Sequence, residues 1–189
     1  MHALLLATAM NWSVVVAGDA RDPRVRAVRE AVAFWNGELA ALGLPIRLGP
    51  VKLSPLRADD DLLKEVSEGV MSGRAARRAL DLTGYDGDIV VFLSNADLIS
   101  TGIPGGPTRQ AVVILRRASD APLSLPNVAR NVAAHELGHV LGLEHNSDNT
   151  KLMCGRPSPC RPDMFRSWRR HFFPLTEREK ATLRKRFQP

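Results

Sequence analysis

The stretch HELGHVLGLEH, residues 135–145, constrains this chain more than any other feature, because it gathers three of the five histidines into eleven residues. On an α-helix, residues four apart lie about 40° apart in projection. His135 and His139 therefore share a face and can reach one ion. Glu136 falls on the adjacent face, placed to touch a metal-bound water rather than the metal. His145 lies six residues beyond His139, which on a continuing helix would turn it about 240° away. The helix must stop and the chain must fold back. Gly142 can supply the turn, since glycine takes the left-handed conformation that ends helices without a Cβ penalty. Leu137, Val140, Leu141 and Leu143 would bury the remaining faces. The alternative is a set of ordinary polar residues on a helix. Five fixed positions, each filled by a residue type of a few per cent usage, recur by chance on the order of 10⁻⁵ to 10⁻⁴ times in a chain of this length.

The flanking sequence predicts what carries this helix. Trp12–Ala17 reads as a short buried strand. Arg24–Leu42 has apolar residues spaced for one helix face, with Pro23 in its first turn. Ile46–Leu53 reads as a second strand, and residues 54–84 as helical with a break at Gly69 and Gly73. Asp88–Leu93 and Gln110–Arg116 are strongly apolar strands, with an irregular edge strand near Leu98–Ile103. Leu125–Leu143 is the helix of the histidines. Residues 146–174 read as coil, and Thr176–Phe187 as a helix opened by a Thr-x-x-Glu capping box. This order predicts a mixed α/β (α+β) fold with helices packed on a twisted mixed five-stranded sheet. One domain spanning 1–189 is expected, with 10–145 above the cleft and 146–189 below it.

Three neutral imidazoles suit zinc, which accepts histidine nitrogen at about 2.0–2.1 Å and keeps a fourth position open in catalytic sites. Glu136 would then act as general base toward the bound water and as acid toward the leaving amine. No serine or cysteine nucleophile is needed.

HELGHVLGLEH resembles HExxHxxGxxH, the zinc motif of the metzincin metallopeptidases. Leu152-Met153-Cys154 follows it closely, and Met153 looks like that family's Met-turn methionine, an apolar floor beneath the zinc. The short gap to Met153 and the C-terminal PLTEREK make the matrixin type the nearest. The resemblance is specific over roughly residues 128–155 and architectural over 12–116. It implies one catalytic zinc held by His135, His139 and His145, and an edge strand that pairs with extended substrate. Three features depart from matrixins. Only His2 and His171 remain for a second, histidine-built zinc site. Tyr85, the single tyrosine, lies far upstream of the Met-turn. Asn146 follows the third histidine where matrixins have Ser. No residue pattern supports structural calcium.

Cys154 and Cys160 are the only cysteines. Their even count, close spacing and Pro-rich loop fit a disulfide clip, with a free pair in a reducing compartment as the alternative. The start of the chain is ambiguous. ALLLATA resembles the end of an export signal with small residues at Ala7-Thr8-Ala9, yet no Lys or Arg precedes it; it also fits a plain apolar lead into the first strand. A secreted or extracytoplasmic location is the expectation. Residues 151–189 carry 11 Lys and Arg against 3 Asp and Glu, whereas the whole chain is only +6. That run fits a solvated basic helix, or a patch attracting an acidic substrate, a cell surface or, last, nucleic acid. No nucleic-acid module is visible, no run is long enough to cross a membrane, and a monomer acting on protein or peptide is expected. These features together predict a zinc endopeptidase. The rivals are a zinc-binding module without turnover and a zinc exopeptidase.

Overall fold

A computed structural model describes residues 10–106, 110–119 and 121–188. The signal-like residues Ala7-Thr8-Ala9, and His2, lie outside them. Five strands form one sheet in the order β2-β1-β3-β5-β4. They are β1 (Met10–Ala17), β2 (Ile46–Ser54), β3 (Ile89–Leu93), β4 (Thr101–Ile103) and β5 (Ala111–Leu115). Every pairing is parallel except β4 with β5. Central parallel strands are covered on both faces and so read as unbroken apolar runs. IVVFL of β3 and AVVIL of β5 behave this way, and all of β5 is buried.

One core lies between the sheet and α1 (Pro23–Ala41), α4 (Pro126–Val140) and α5 (Glu177–Phe187). A second core lies on the opposite face, under α2 (Asp60–Ser67) and α3 (Gly73–Ala79). Tyr85 belongs to this second core, edge-on to Phe92. The helical expectation for 54–84 is met only in part. Pro55 follows β2, helix α2 waits for Asp59, whose carboxylate accepts from the Asp61 and Leu62 amides, and the chain breaks after Ser67 before Ser72 caps α3. The edge strand is also shorter than its predicted span. Leu98 turns into the second core, and pairing begins at Thr101.

Helix α1 starts with Asp22 capping the Arg24 amide and Pro23 at its first position. Arg24 is 3% exposed. Its guanidinium donates to the carbonyls of Leu115 at 3.0 Å and Arg116 at 2.9 Å, and also to that of Ser94, so it ties together the carboxyl ends of β3 and β5. Trp35 on the same helix is fully buried and donates its indole N–H to the Ala134 carbonyl at 2.8 Å, which fixes α1 against α4.

Nearly every side of α4 is buried, including five polar residues, Asn127, Arg130, Asn131, His135 and Glu136. Such groups are costly unless paired. Asn127 donates to the Phe165 carbonyl and accepts from the His171 amide. Asn131 donates to the His171 carbonyl and accepts from the Phe173 amide. These two asparagines, one turn apart, therefore strap residues 165–173 along the helix. No described helix is long and apolar enough to span a membrane.

Candidate active site

Helix α4 contributes His135, Glu136 and His139, and then ends sharply. Its last regular residue is Val140, earlier than the predicted Leu143, because a Schellman motif closes it. The Gly142 amide donates to the His139 carbonyl and the Leu143 amide to the Gly138 carbonyl, both at 2.9 Å, with Gly142 at φ +90°. That is the paired bonding a left-handed glycine cap supports. A Cβ at Gly142 would also strike the Arg186 guanidinium. The turn brings His145 back toward the helix.

The His145 segment is then fixed by the segment holding Met153. The Asn146 amide donates to the Met153 carbonyl and the Gly155 amide to the Asn146 carbonyl. The Asn146 side chain donates to Glu179 at 2.6 Å, and the same carboxylate accepts from the Thr176 amide at 2.7 Å. One residue thus caps α5 and anchors the chain beside the third histidine. Met153 is fully buried beneath α4, where a Cβ at Gly138 would lie 2.5 Å from its sulfur. Cys154 and Cys160 are joined by a disulfide with Cα atoms 5.8 Å apart.

The three Nε2 atoms form a nearly equilateral triangle with edges of 3.0, 3.1 and 3.2 Å. The opposite nitrogen of each ring faces a backbone carbonyl. His135 Nδ1 is 2.7 Å from Leu152 O, His139 Nδ1 2.8 Å from Leu143 O, and His145 Nδ1 2.8 Å from Arg156 O. A carbonyl can only accept, so each Nδ1 carries the proton and each neutral ring presents a bare lone pair at Nε2. Three lone pairs this close repel one another unless a cation lies among them. Zinc–nitrogen bonds of about 2.0–2.1 Å put tetrahedral neighbours about 3.3–3.4 Å apart. The donor set and its spacing therefore fit a zinc ion. Burial, with the neighbouring His139 adding to it, lowers the His135 pKa to about 3 and so keeps that ring neutral. His139 is lowered for the same reason. Among the described residues, this is the one cluster of histidine, cysteine and carboxylate groups with metal-binding spacing.

Glu136 is 6% exposed. Burial pushes its carboxyl up to about 8, against the Gly102 amide, which donates to the carboxylate and pulls the other way. Gly102 lies on β4, and a Cβ there would sit 2.2 Å from the Glu136 carbonyl oxygen. The edge strand thus lies directly on the helix at the candidate general base, with its outer side at the end of the sheet. A cavity of about 230 Å³ adjoins His135, Glu136 and His145.

The structure brings together His135, Glu136, His139 and His145, with Met153 below and the disulfide alongside. Tyr85 and His171 lie apart from them; His171 stacks on Phe173. Sequence reasoning missed Gly102, Gly155 and the three carbonyls that set the histidine tautomers. A Cβ at Gly155 would lie 2.3–2.6 Å from three His145 ring atoms. Gly155, two residues after Met153, was the available signal, while the distant Gly102 and the carbonyls carry none.

A family model described as matrixin (Peptidase_M10) matches residues 116–166, from the end of β5 through the Met153 segment. No curated protein matches the sequence. Among solved structures, the chain is similar to archaemetzincin from Methanopyrus kandleri, at 22% identity and a TM-score of 0.57, over 97% of this chain and 98% of that one. The expected mixed α/β architecture with a five-stranded mixed sheet is therefore present, and it matches the archaemetzincin fold. The chain shares the fold of archaemetzincin, and the segment bearing its three histidines, which could hold a metal ion, matches the matrixin model.

Proposed function

We propose that the protein is a zinc-dependent endopeptidase, with His135, His139 and His145 as the metal ligands and Glu136 as the general base. The observation that carries this reading is the triangle of three Nε2 lone pairs with a buried carboxylate beside it. When bound there, zinc supplies Lewis-acid chemistry, acidifying water and polarising a carbonyl.

The protein's own groups do the rest. The carbonyls of Leu152, Leu143 and Arg156 hold the three rings in one tautomer and orientation, the kind of outer support that governs metal sites. Burial alone disfavours the ionised form of Glu136, and a cation held by the three histidines would favour it; ionised, Glu136 removes a proton from the attacking water as the new C–O bond forms. It then delivers that proton to the leaving nitrogen as the C–N bond breaks. The Gly102 amide orients the Glu136 carboxylate. The outer side of β4 can add an extended peptide as a further strand, and both ends of such a peptide would run on past the site. This favours internal cleavage over release of single residues. Cys154 and Cys160 are oxidised to each other, so neither offers a nucleophile. The same disulfide supports an oxidising, extracytoplasmic location.

The test is metal analysis combined with digestion of a peptide library bearing blocked and free termini. One zinc per chain and cleavage of blocked peptides are expected. Trimming of free termini alone would favour an exopeptidase, and full zinc without any cleavage would favour a binding module.

A further inference from the structure

Resting on the peptidase reading, we propose that the cavity beside the histidines selects a carboxylate-bearing residue of the substrate, gripped by Arg116, Arg156 and Arg161. All three line the cavity, together with the apolar side chains of Leu123, Val132 and Phe165. Each of those apolar residues is 3% exposed, so they form a fixed floor. At about 230 Å³ the cavity is smaller than the ~300–1,000 Å³ of small-molecule sites. It suits one side chain with an apolar stem and a charged tip.

The charges around it are unequal. Among the cavity-lining residues, Glu136 is the one carboxylate against three arginines. Asp97 pairs with Arg116 from outside at 2.5 Å. The Arg116 Nε is buried and without a hydrogen-bond partner among the described residues. Arg161 is held over the loop by bonds from Nη1 to the carbonyls of Cys160 at 2.7 Å and Ser158 at 3.3 Å. Arg156 is anchored through its carbonyl, which accepts from His145, while its side chain is exposed. Guanidinium groups favour carboxylates by paired, charge-assisted hydrogen bonds. A substrate lysine or arginine would meet like charge. Two of the three arginines come from the basic run after residue 150, which gives part of that run a task beyond solvation.

The carboxylate has two sources, an acidic side chain or the terminal carboxylate of a peptide, and the experiment separates them. Equilibrium binding of the purified full chain is measured at 0.15 M salt with two pairs of peptide pools. One pair differs by Glu against Gln at internal positions; the other differs by a free against an amidated C-terminus. A charge-assisted grip predicts on the order of 10- to 100-fold tighter binding of the acidic member. Preference in the first pair assigns the side chain, and in the second the terminus. The preference should shrink in Arg116→Gln, Arg156→Gln and Arg161→Gln, and survive largely in Arg156→Lys. Thermal melts and zinc content confirm that each variant is folded. Equal affinity within both pairs overturns the assignment. So does a preference unchanged in all three glutamine variants, since the carboxylate would then be binding the metal. If no peptide is cleaved yet the arginine-dependent preference holds, the peptidase reading fails and this assignment stands. If cleavage proceeds without preference, the reverse follows.

Discussion

Replacing Gly155 with alanine should remove a metal ligand without touching a histidine. The new Cβ would lie 2.3 Å from Cδ2, 2.4 Å from Nε2 and 2.6 Å from Cγ of His145. Carbon atoms in contact sit about 3.5–4.0 Å apart, so the ring must retreat by roughly 1 Å. Metal–ligand distances tolerate only about ±0.2 Å, so the His145 Nε2 leaves the triangle. His145 is the most exposed of the three rings, which gives it room to swing outward. The folding cost should then be small, close to the one hydrogen bond lost to the Arg156 carbonyl, about 0.5–1.5 kcal/mol. The metal cost should exceed the ~10–100-fold typical of losing an outer-shell partner, because one of three ligands is displaced. Zinc affinity measured by chelator competition, beside urea unfolding of the metal-free chain, separates the two effects. Gly155→Ala should add nothing to the loss already present in His145→Ala, since both act through one ring. Wild-type zinc affinity in Gly155→Ala, or full additivity of the two losses, would refute this reasoning.

Gly102→Ala should lower kcat/KM for peptides while leaving one zinc bound, because a Cβ 2.2 Å from the Glu136 carbonyl must lift β4 off the helix; steady-state kinetics with metal analysis checks it. Gly37→Ala should stabilise the fold by up to about 1 kcal/mol in chemical unfolding, since Gly37 sits in α1 with no atom within 4 Å of its added Cβ. Asp22 and the buried Arg24 predict an acid-sensitive fold. Burial raises the Asp22 pKa, but hydrogen bonds and charge from Arg24 outweigh it, so the folded value lies below 3.8. The pair's stabilisation is therefore complete above about pH 3.8 and lost as pH falls through the folded value. Asp22→Ala should cost about 1.5–3 kcal/mol at pH 7, the range of a hydrogen bond to a charged group, since Arg24 keeps its three carbonyl partners, and less in acid, as urea unfolding across pH would reveal.

The legible parts of this molecule were those fixed by local spacing. The two covered strands β3 and β5 announce themselves as apolar runs. The Thr176–Glu179 capping box reads directly from its spacing and forms as expected. The triangle of histidines follows from helical geometry plus a glycine turn. What stayed hidden depends on distant backbone. Asn127 and Asn131 read as polar residues on a helix, yet they bind chain some 40 residues further on. Arg24 enters the sequence reading only as the start of a helix, although it binds three strand-end carbonyls. The break in 54–84 hides because single Asp and Ser caps are common in any polar stretch. The tautomers of the three histidines rest on carbonyls, which every residue has and which no sequence pattern marks.

Glu136→Ala, assayed together for zinc and for cleavage of blocked peptides, tests the central claim most directly. Glu136 stands beside the metal face, and the three imidazoles do not depend on it. The account predicts one zinc per chain, as in wild type, with cleavage reduced at or beyond the upper end of the ~10²–10⁴-fold expected for losing a general base. Loss of the zinc along with activity would make Glu136 a ligand or a structural support, and cleavage at the wild-type rate would remove it from the chemistry; either result contradicts the mechanism.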